Sequence, residues 1–158
     1  MSIQRVREYL EQFGAAERIR EFAQSTATVE LAAQAAGVEP GRIAKTLSFK
    51  LEEERTLLIV AAGDAKVDNS KYKSTFGGKA KMLTAQEAEE RIGHAVGGVC
   101  PFGVKEGVEV YLDRSLERFA TVLPAAGSSN SCIELTLPEL EKFSGASRWV
   151  DVCKPRTA

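Results

Sequence analysis

The run Thr56-Leu57-Leu58-Ile59-Val60-Ala61-Ala62 carries no charged side chain and stops at Gly63-Asp64. A strand that is apolar almost throughout must be covered on both faces, so this run predicts a central strand with packed layers above and below it. A second β-rich run over residues 45–51 precedes it, and the charged stretch Glu52-Glu53-Glu54-Arg55 between them suits a hairpin tip. The rest of the chain must therefore supply more strands beside this hairpin and helices to bury it.

Periodicity and capping signals provide those elements. Ile3, Val6, Leu10 and Phe13 recur every three or four residues, which predicts a helix over 2–13 closed by Gly14. Residues 19–22 alternate as a short first strand. Thr28 as N-cap, Glu30 in the first turn and Gly37 beyond the end frame a second helix with a small alanine face. Asp68 caps a short helix that ends at Gly77-Gly78, and Thr84 with Glu87 forms a capping box opening another through Ile92. Strands are expected at 108–112, 119–123 and 132–136. Thr136 with Glu139 starts the last helix, and residues 149–152 are expected to add an edge strand. The order predicts an α+β chain, one domain over residues 1–158, with a mixed, barrel-like sheet of about six or seven strands surrounded by helices.

Composition narrows the function classes. Hydrophobic residues make up 44% and charged ones 27% of 158 residues, an ordinary globular mixture, and the net charge of -1 provides no global field for nucleic acid. Any anion site must then be a local patch. The N-terminal residues lack an uninterrupted apolar run and no window approaches a bilayer span, so a cytoplasmic location without membrane contact is expected. Cys100, Cys132 and Cys153 are odd in number and widely spaced, which predicts reduced thiols. With His94 the only histidine, neither a metal nor another cofactor is expected.

Four features can carry chemistry. Lys45 sits between Ile43, Leu47 and Phe49, where an ammonium costs desolvation unless it is used; the competing reading is a stem lying along the sheet with its head in water. The loop Gly97-Gly98-Val99-Cys100-Pro101-Phe102-Gly103 combines backbone freedom with a proline that stiffens Cys100, so its amides and carbonyls can meet a polar ligand, or it is a plain turn. Lys66, Lys71, Lys73, Lys79 and Lys81, against Asp68, give residues 66–81 a local charge of +4, suited to phosphates or to a solvated helix face. Gly127-Ser128-Ser129-Asn130-Ser131 is a small polar loop that can bind a ligand or turn the chain. A Cys100–His94 nucleophilic dyad is disfavoured, because the histidine lies six residues away in a glycine-broken segment.

Taken in order, Ile43-Ala44-Lys45-Thr46-Leu47, Ala62-Gly63-Asp64, the 97–103 loop and Ala126-Gly127-Ser128 resemble the YbaK and prolyl-tRNA synthetase-associated editing family, from the second helix to Val152. The resemblance implies a free-standing enzyme that hydrolyses the ester of a mischarged tRNA, with tRNA(Pro) bearing a small non-cognate amino acid as the expected substrate. It places Lys45 in the active site and assigns Gly97 and Pro101 to a loop whose backbone holds the aminoacyl-adenosine end. Gly98, Val99, Cys100, Phe102 and Gly103, together with Gly127, Ser128, Ser129 and Asn130, are then expected at the substrate, and the five lysines along the tRNA. The expected partners are the CCA end of aminoacyl-tRNA and prolyl-tRNA synthetase, not DNA. Many members carry a basic residue just beyond the later glycine, where this chain has Ser128, Ser129 and Asn130, so amino-acid specificity does not transfer. Two other classes stay open: a non-catalytic tRNA- or synthetase-binding module of the same fold, and a hydrolase of another small ester that uses Cys100.

Overall fold

The computed structural model describes residues 2–51, 55–94 and 99–155. In chain order the elements are α1 (Ser2–Glu11), β1 (Arg20–Glu21), α2 (Val29–Ala36), β2 (Ile43–Leu51), β3 (Arg55–Ala62), β4 (Ala65–Val67), α3 (Asn69–Phe76) and α4 (Ala85–Arg91). They continue with β5 (Glu109–Asp113), β6 (Thr121–Pro124), β7 (Ser131–Cys132), β8 (Leu135–Thr136), α5 (Leu137–Ser144), β9 (Arg148–Val150) and β10 (Cys153–Pro155).

The central hairpin forms as its sequence demands. β2 and β3 pair antiparallel from Ala44 opposite Ala62 to Leu51 opposite Arg55. β3 then pairs in parallel with β5, and β5 with β9; on the other side β2 pairs in parallel with β6, and β6 antiparallel with β8. The resulting six-stranded mixed sheet, ordered β8-β6-β2-β3-β5-β9, curls into a half-barrel. Leu57 to Ala62 have no solvent exposure, as an all-apolar central strand requires.

Helices close the sheet through their apolar residues. On α3, Tyr72 packs against Phe49 with ring centroids 5.2 Å apart, and Phe76 meets Tyr111 edge-on at 5.1 Å. Ala88 of α4, with Leu83 and Ile92, covers Leu58 and Val110, while Ala32 and Ala33 of α2 cover Ile43, Leu123 and Cys132. Phe13 stacks on Phe143 of α5 at 4.6 Å and so ties α1 to the far helix. The predicted caps are all made: Thr28 Oγ1 accepts from Leu31 N–H, Asp68 from Ser70 and Lys71, and the Thr84–Glu87 and Thr136–Glu139 boxes close in both directions.

The structure differs from the sequence pattern in the short strands. The stretch 132–136 divides into β7, which pairs with β1 outside the main sheet, and β8, which belongs to it. Between them Ile133 is fully buried and its N–H bonds to Pro124 O at 3.0 Å, so one apolar run crosses between two sheets. β4 and β10 form a second antiparallel ribbon whose three-residue strands are too short to give a period. Residues 148–150 form the expected edge strand. Among the described residues no helix is long and apolar enough to cross a membrane, and the three cysteines are unpaired and buried.

Candidate active site

The outer edge of β2 changes partner along its length. Ile43 and Ala44 lie against β6; at the other end Phe49 faces Met82, Lys50 N–H bonds to Lys81 O at 2.9 Å and Leu83 N–H to Ser48 O at 3.1 Å. Backbone groups alternate direction along a strand, so Thr46 N–H and C=O point the same way as those of Ser48 and Lys50. Between the two partners the edge opens into a cleft of about 350 Å³. Thr26, Thr28 and Val29 at the start of α2 form one wall, Met82, Leu83 and Ala88 the other, and Leu123, Ser131 and Cys132 also line it.

Lys45 lies on this edge and lines the cleft. Its Nζ donates to Ala65 O, the first carbonyl of β4. That bond follows from register, since Lys45 stands opposite Ala61 and the chain returns through the Gly63-Asp64 turn directly beyond. The Arg118 guanidinium, and to a smaller extent the Lys45 cation, hold the Asp64 carboxyl below the usual carboxylate range. Burial pushes the Cys153 thiol up to about 12 against the opposing charge of Lys45. A fixed cation is thus set among a carboxylate, a carbonyl and an open strand edge. Thr46 Oγ1 adds a buried hydroxyl with no hydrogen-bond partner among the described residues, and Ser131, 1% exposed as a residue, has its Oγ 2.7 Å from Ser128 Oγ. The cleft is small, hydroxyl-bearing and cationic on one side, which suits a compact polar ester.

The family model of the aminoacyl-tRNA editing domain matches residues 23–143, a span that holds the whole cleft. The chain belongs to the aminoacyl-tRNA editing family. YwhH of Bacillus subtilis, a protein without an assigned activity, is 54% identical over 98% of both chains. EbsC of Enterococcus faecalis, named as a candidate Cys-tRNA(Pro)/Cys-tRNA(Cys) deacylase, is 30% identical over 68% of this chain and 66% of its own. A solved structure described as a candidate trans-editing enzyme for prolyl tRNA synthetase superposes with a TM-score of 0.86 at 33% identity, over 97% of each chain. The proline–tRNA ligase of Bacillus cytotoxicus matches 50% of this chain at 31% identity, but this chain spans only 14% of that enzyme.

Within this editing domain the expected site residues separate. Of the 97–103 loop, Val99 lines the cleft, whereas the Cys100 and Phe102 side chains are fully buried in the main core and cannot reach a ligand there. Pro101 is buried beside them, and Gly97 and Gly98 lie outside the described residues. Gly103, at φ +61°, packs against Arg5 and Tyr9 of α1. Cys100 Sγ does approach His94 Nε2 at 3.7 Å, but that nitrogen donates to Phe102 O at 2.7 Å and so carries a proton already. Burial lowers the His94 pKa and pushes the thiol up to about 12, the opposite of an activated cysteine.

Gly127, at φ +99°, turns the second loop behind the α2 wall. Ser129 O accepts from Thr26 N–H at 2.6 Å, Asn130 Nδ2 donates to Phe22 O at 3.0 Å, and Ser128 Oγ lies 2.7 Å from Ser131 Oγ. The polar groups expected at the substrate thus brace the wall, and it is Ser131 that faces the cleft. The five lysines are exposed but divided. Lys71 bonds to Asp151 and Cys153 O, Lys66 stands opposite Lys154 on the β4–β10 ribbon, and Lys73 and Lys79 flank a separate depression with Asn69 and Ser70. Lys81 precedes Met82, which lines the cleft, and its carbonyl accepts from Lys50 N–H. Sequence reasoning did not single out Thr46 or the Asp64–Arg118 pair, and it read Ser131 only as the last residue of the 127–131 loop; the signal available for the pair was the Ala62-Gly63-Asp64 segment, read from its residues only as a strand break.

Proposed function

We propose that the protein is a free-standing aminoacyl-tRNA deacylase that removes a small non-cognate amino acid from tRNA, tRNA(Pro) first among the candidates. The observation that carries this reading is Lys45, a fixed cation on the open edge of β2 inside a cleft of about 350 Å³. The described cleft holds no acid–base dyad, so the chemistry rests on positioning and electrostatics.

In this reading the 3′-terminal ribose ester enters between α2 and Met82 with its amino-acid side chain against Val29, Ala32 and Leu123. An ammonium has three donors, so Lys45 can keep Ala65 O and still turn a proton toward the ester carbonyl or the terminal phosphate. Negative charge developing on the carbonyl oxygen is then met by Lys45 and by the outward-facing Thr46 amide. The substrate's own ribose hydroxyl, or a water held by the backbone of the 97–101 loop, handles the proton. Lys73, Lys79 and Lys81 supply salt-sensitive phosphate contacts outside the cleft. Prolyl-tRNA synthetase, whose relatives carry a similar segment, is the proposed partner.

A deacylation panel tests this directly: purified protein against tRNAs charged with cysteine, alanine, serine, threonine and proline. Selective release of a small non-cognate amino acid from tRNA(Pro) is expected. Tight tRNA binding with no release of any amino acid would replace the enzyme with a binding module of the same fold.

A further inference from the structure

Exposure separates the rim of the cleft from its floor. Ile43, Ala44, Ala88, Leu123 and Cys132 line it and are buried, whereas Ala27 and Thr28 on the α2 side and Met82 and Thr84 on the other are exposed. Among the described residues the exposed large apolar side chains are Leu31 and Met82, and of the two only Met82, at 59% exposure, lines the cleft.

The backbone beneath that side chain is fixed. Met82 pairs with Phe49, and the bonds from Lys50 N–H to Lys81 O and from Leu83 N–H to Ser48 O hold the residues on either side. Leu83 then joins the buried cluster of Leu58, Ala88 and Ile92. Cross-strand partners share a face of a sheet, as do residues four apart on one strand, so Met82 stands on the same face as Phe49 and Lys45. Lys45 and Phe49 lie roughly 14 Å apart along β2, a separation comparable to the length of an aminoacyl nucleoside.

The ribose that carries the ester also carries a base. With the ester carbonyl at Lys45, that base lies toward the rim, where its polar edges keep water and its faces need an apolar surface. Every base has such a face, and a polarisable thioether makes favourable contacts with aromatic rings. Lys79 and Lys81, both exposed on the segment leading to Met82, suit the phosphates of the same strand. A protein partner is the poorer occupant, because one methionine falls far short of the roughly 800 Å² that each side of a stable protein interface buries.

We propose that Met82 is a binding residue for the 3′-terminal nucleobase of the charged tRNA, its thioether packed on the face of the base at the rim while Lys45 meets the ester. This rests on the reading that the cleft takes an aminoacyl-tRNA end. Packing on a face reads no base edge, so Met82 contributes affinity and leaves amino-acid selection to the walls.

Two measurements test it. In steady-state deacylation Met82→Ala is expected to raise KM about threefold to tenfold with kcat within about twofold, and Met82→Leu, which keeps an apolar surface, should lose less. The chain has two methionines, so in protein labelled with ¹³C at the methionine methyls the Met82 resonance is the one that Met82→Leu removes. Uncharged tRNA with a complete 3′ end should move that resonance upfield through the ring current of the base, and the same tRNA lacking its terminal nucleoside should not. A parental KM in Met82→Ala overturns the proposal. So does a methyl resonance that the complete tRNA leaves unmoved, that both tRNAs move equally, or that moves with protein concentration alone, the last placing Met82 between copies of the chain. If the parent protein releases no amino acid at all, the deacylase reading fails on its own, and the methyl shift decides the role of Met82.

Discussion

β3 and the outer edge of β2 are neighbours with opposite characters. β3 is paired on both sides, against β2 and β5, and its residues 57–62 are fully buried. Among the described residues the far edge of β2 is paired only at its ends, with β6 at Ile43 and Ala44 and with Met82 at Phe49. A complete ladder leaves no backbone group for a ligand, whereas an interrupted one presents amides, carbonyls and a lysine to a cleft. The buried core lies on one side of the hairpin and the proposed chemistry on the other.

Substitutions should divide along that line. Leu58→Ala removes a fully buried side chain packed against Leu83, Ala88 and Ile92, and should cost about 2–5 kcal/mol of unfolding free energy by denaturant melts. Its deacylation rate per folded molecule should change little, and a selective loss of activity would contradict the division. Cys100→Ala belongs to the same class: about 1 kcal/mol of stability should be lost to a small cavity with turnover unchanged, and a thiol reagent should leave turnover by the parent protein unchanged. Inactivation by either route would restore the cysteine to the chemistry.

Thr46→Val is the converse case. It deletes a buried hydroxyl that has no partner among the described residues, so stability should hold or rise by up to about 1 kcal/mol. The ratio of rates between serine and alanine esters should nevertheless change, measured by competition between the two charged tRNAs; an unchanged ratio would remove Thr46 from the site. The smallest effect lies on the surface. The Arg18 fork and the Thr136 amide hold Glu139 down to about 2 from the ordinary 4.5. A depressed carboxyl stabilises the fold above its unfolded pKa and loses that contribution as pH falls through the folded one, here between about 4.5 and about 2. Glu139→Gln should flatten that part of the acid-unfolding curve slightly, the more so at low salt.

The same contrast explains what the sequence discloses. Its long apolar run, helical stripes and capping signals are local, and they specify β3, the central hairpin and all five described helices, four of them with their N-caps. The two-residue and three-residue strands β1, β4, β7, β8 and β10 are held by register with distant partners and leave no period to read. The site behaves likewise. Lys45 is conspicuous because a cation stands in an apolar stretch, but whether a loop residue faces a ligand or the core depends on side-chain direction. The family resemblance puts Cys100, Phe102, Ser129 and Asn130 at the substrate; packing sends the first two side chains inward, and hydrogen bonds tie the loop of the other two to the segment that leads into α2. The Asp64–Arg118 pair spans 54 positions and is visible only once β3 and the turn after β5 are side by side.

The central claim is that the Lys45 cation, not a nucleophile, drives ester hydrolysis at the edge of β2. Single-turnover deacylation by Lys45→Ala, on whichever charged tRNA the parent protein hydrolyses fastest, tests it most directly. The account predicts at least a hundredfold slower release, roughly 2.7 kcal/mol of transition-state stabilisation, with the thermal unfolding midpoint nearly unchanged. A Lys45→Ala protein that hydrolyses the ester at the parental rate would contradict it.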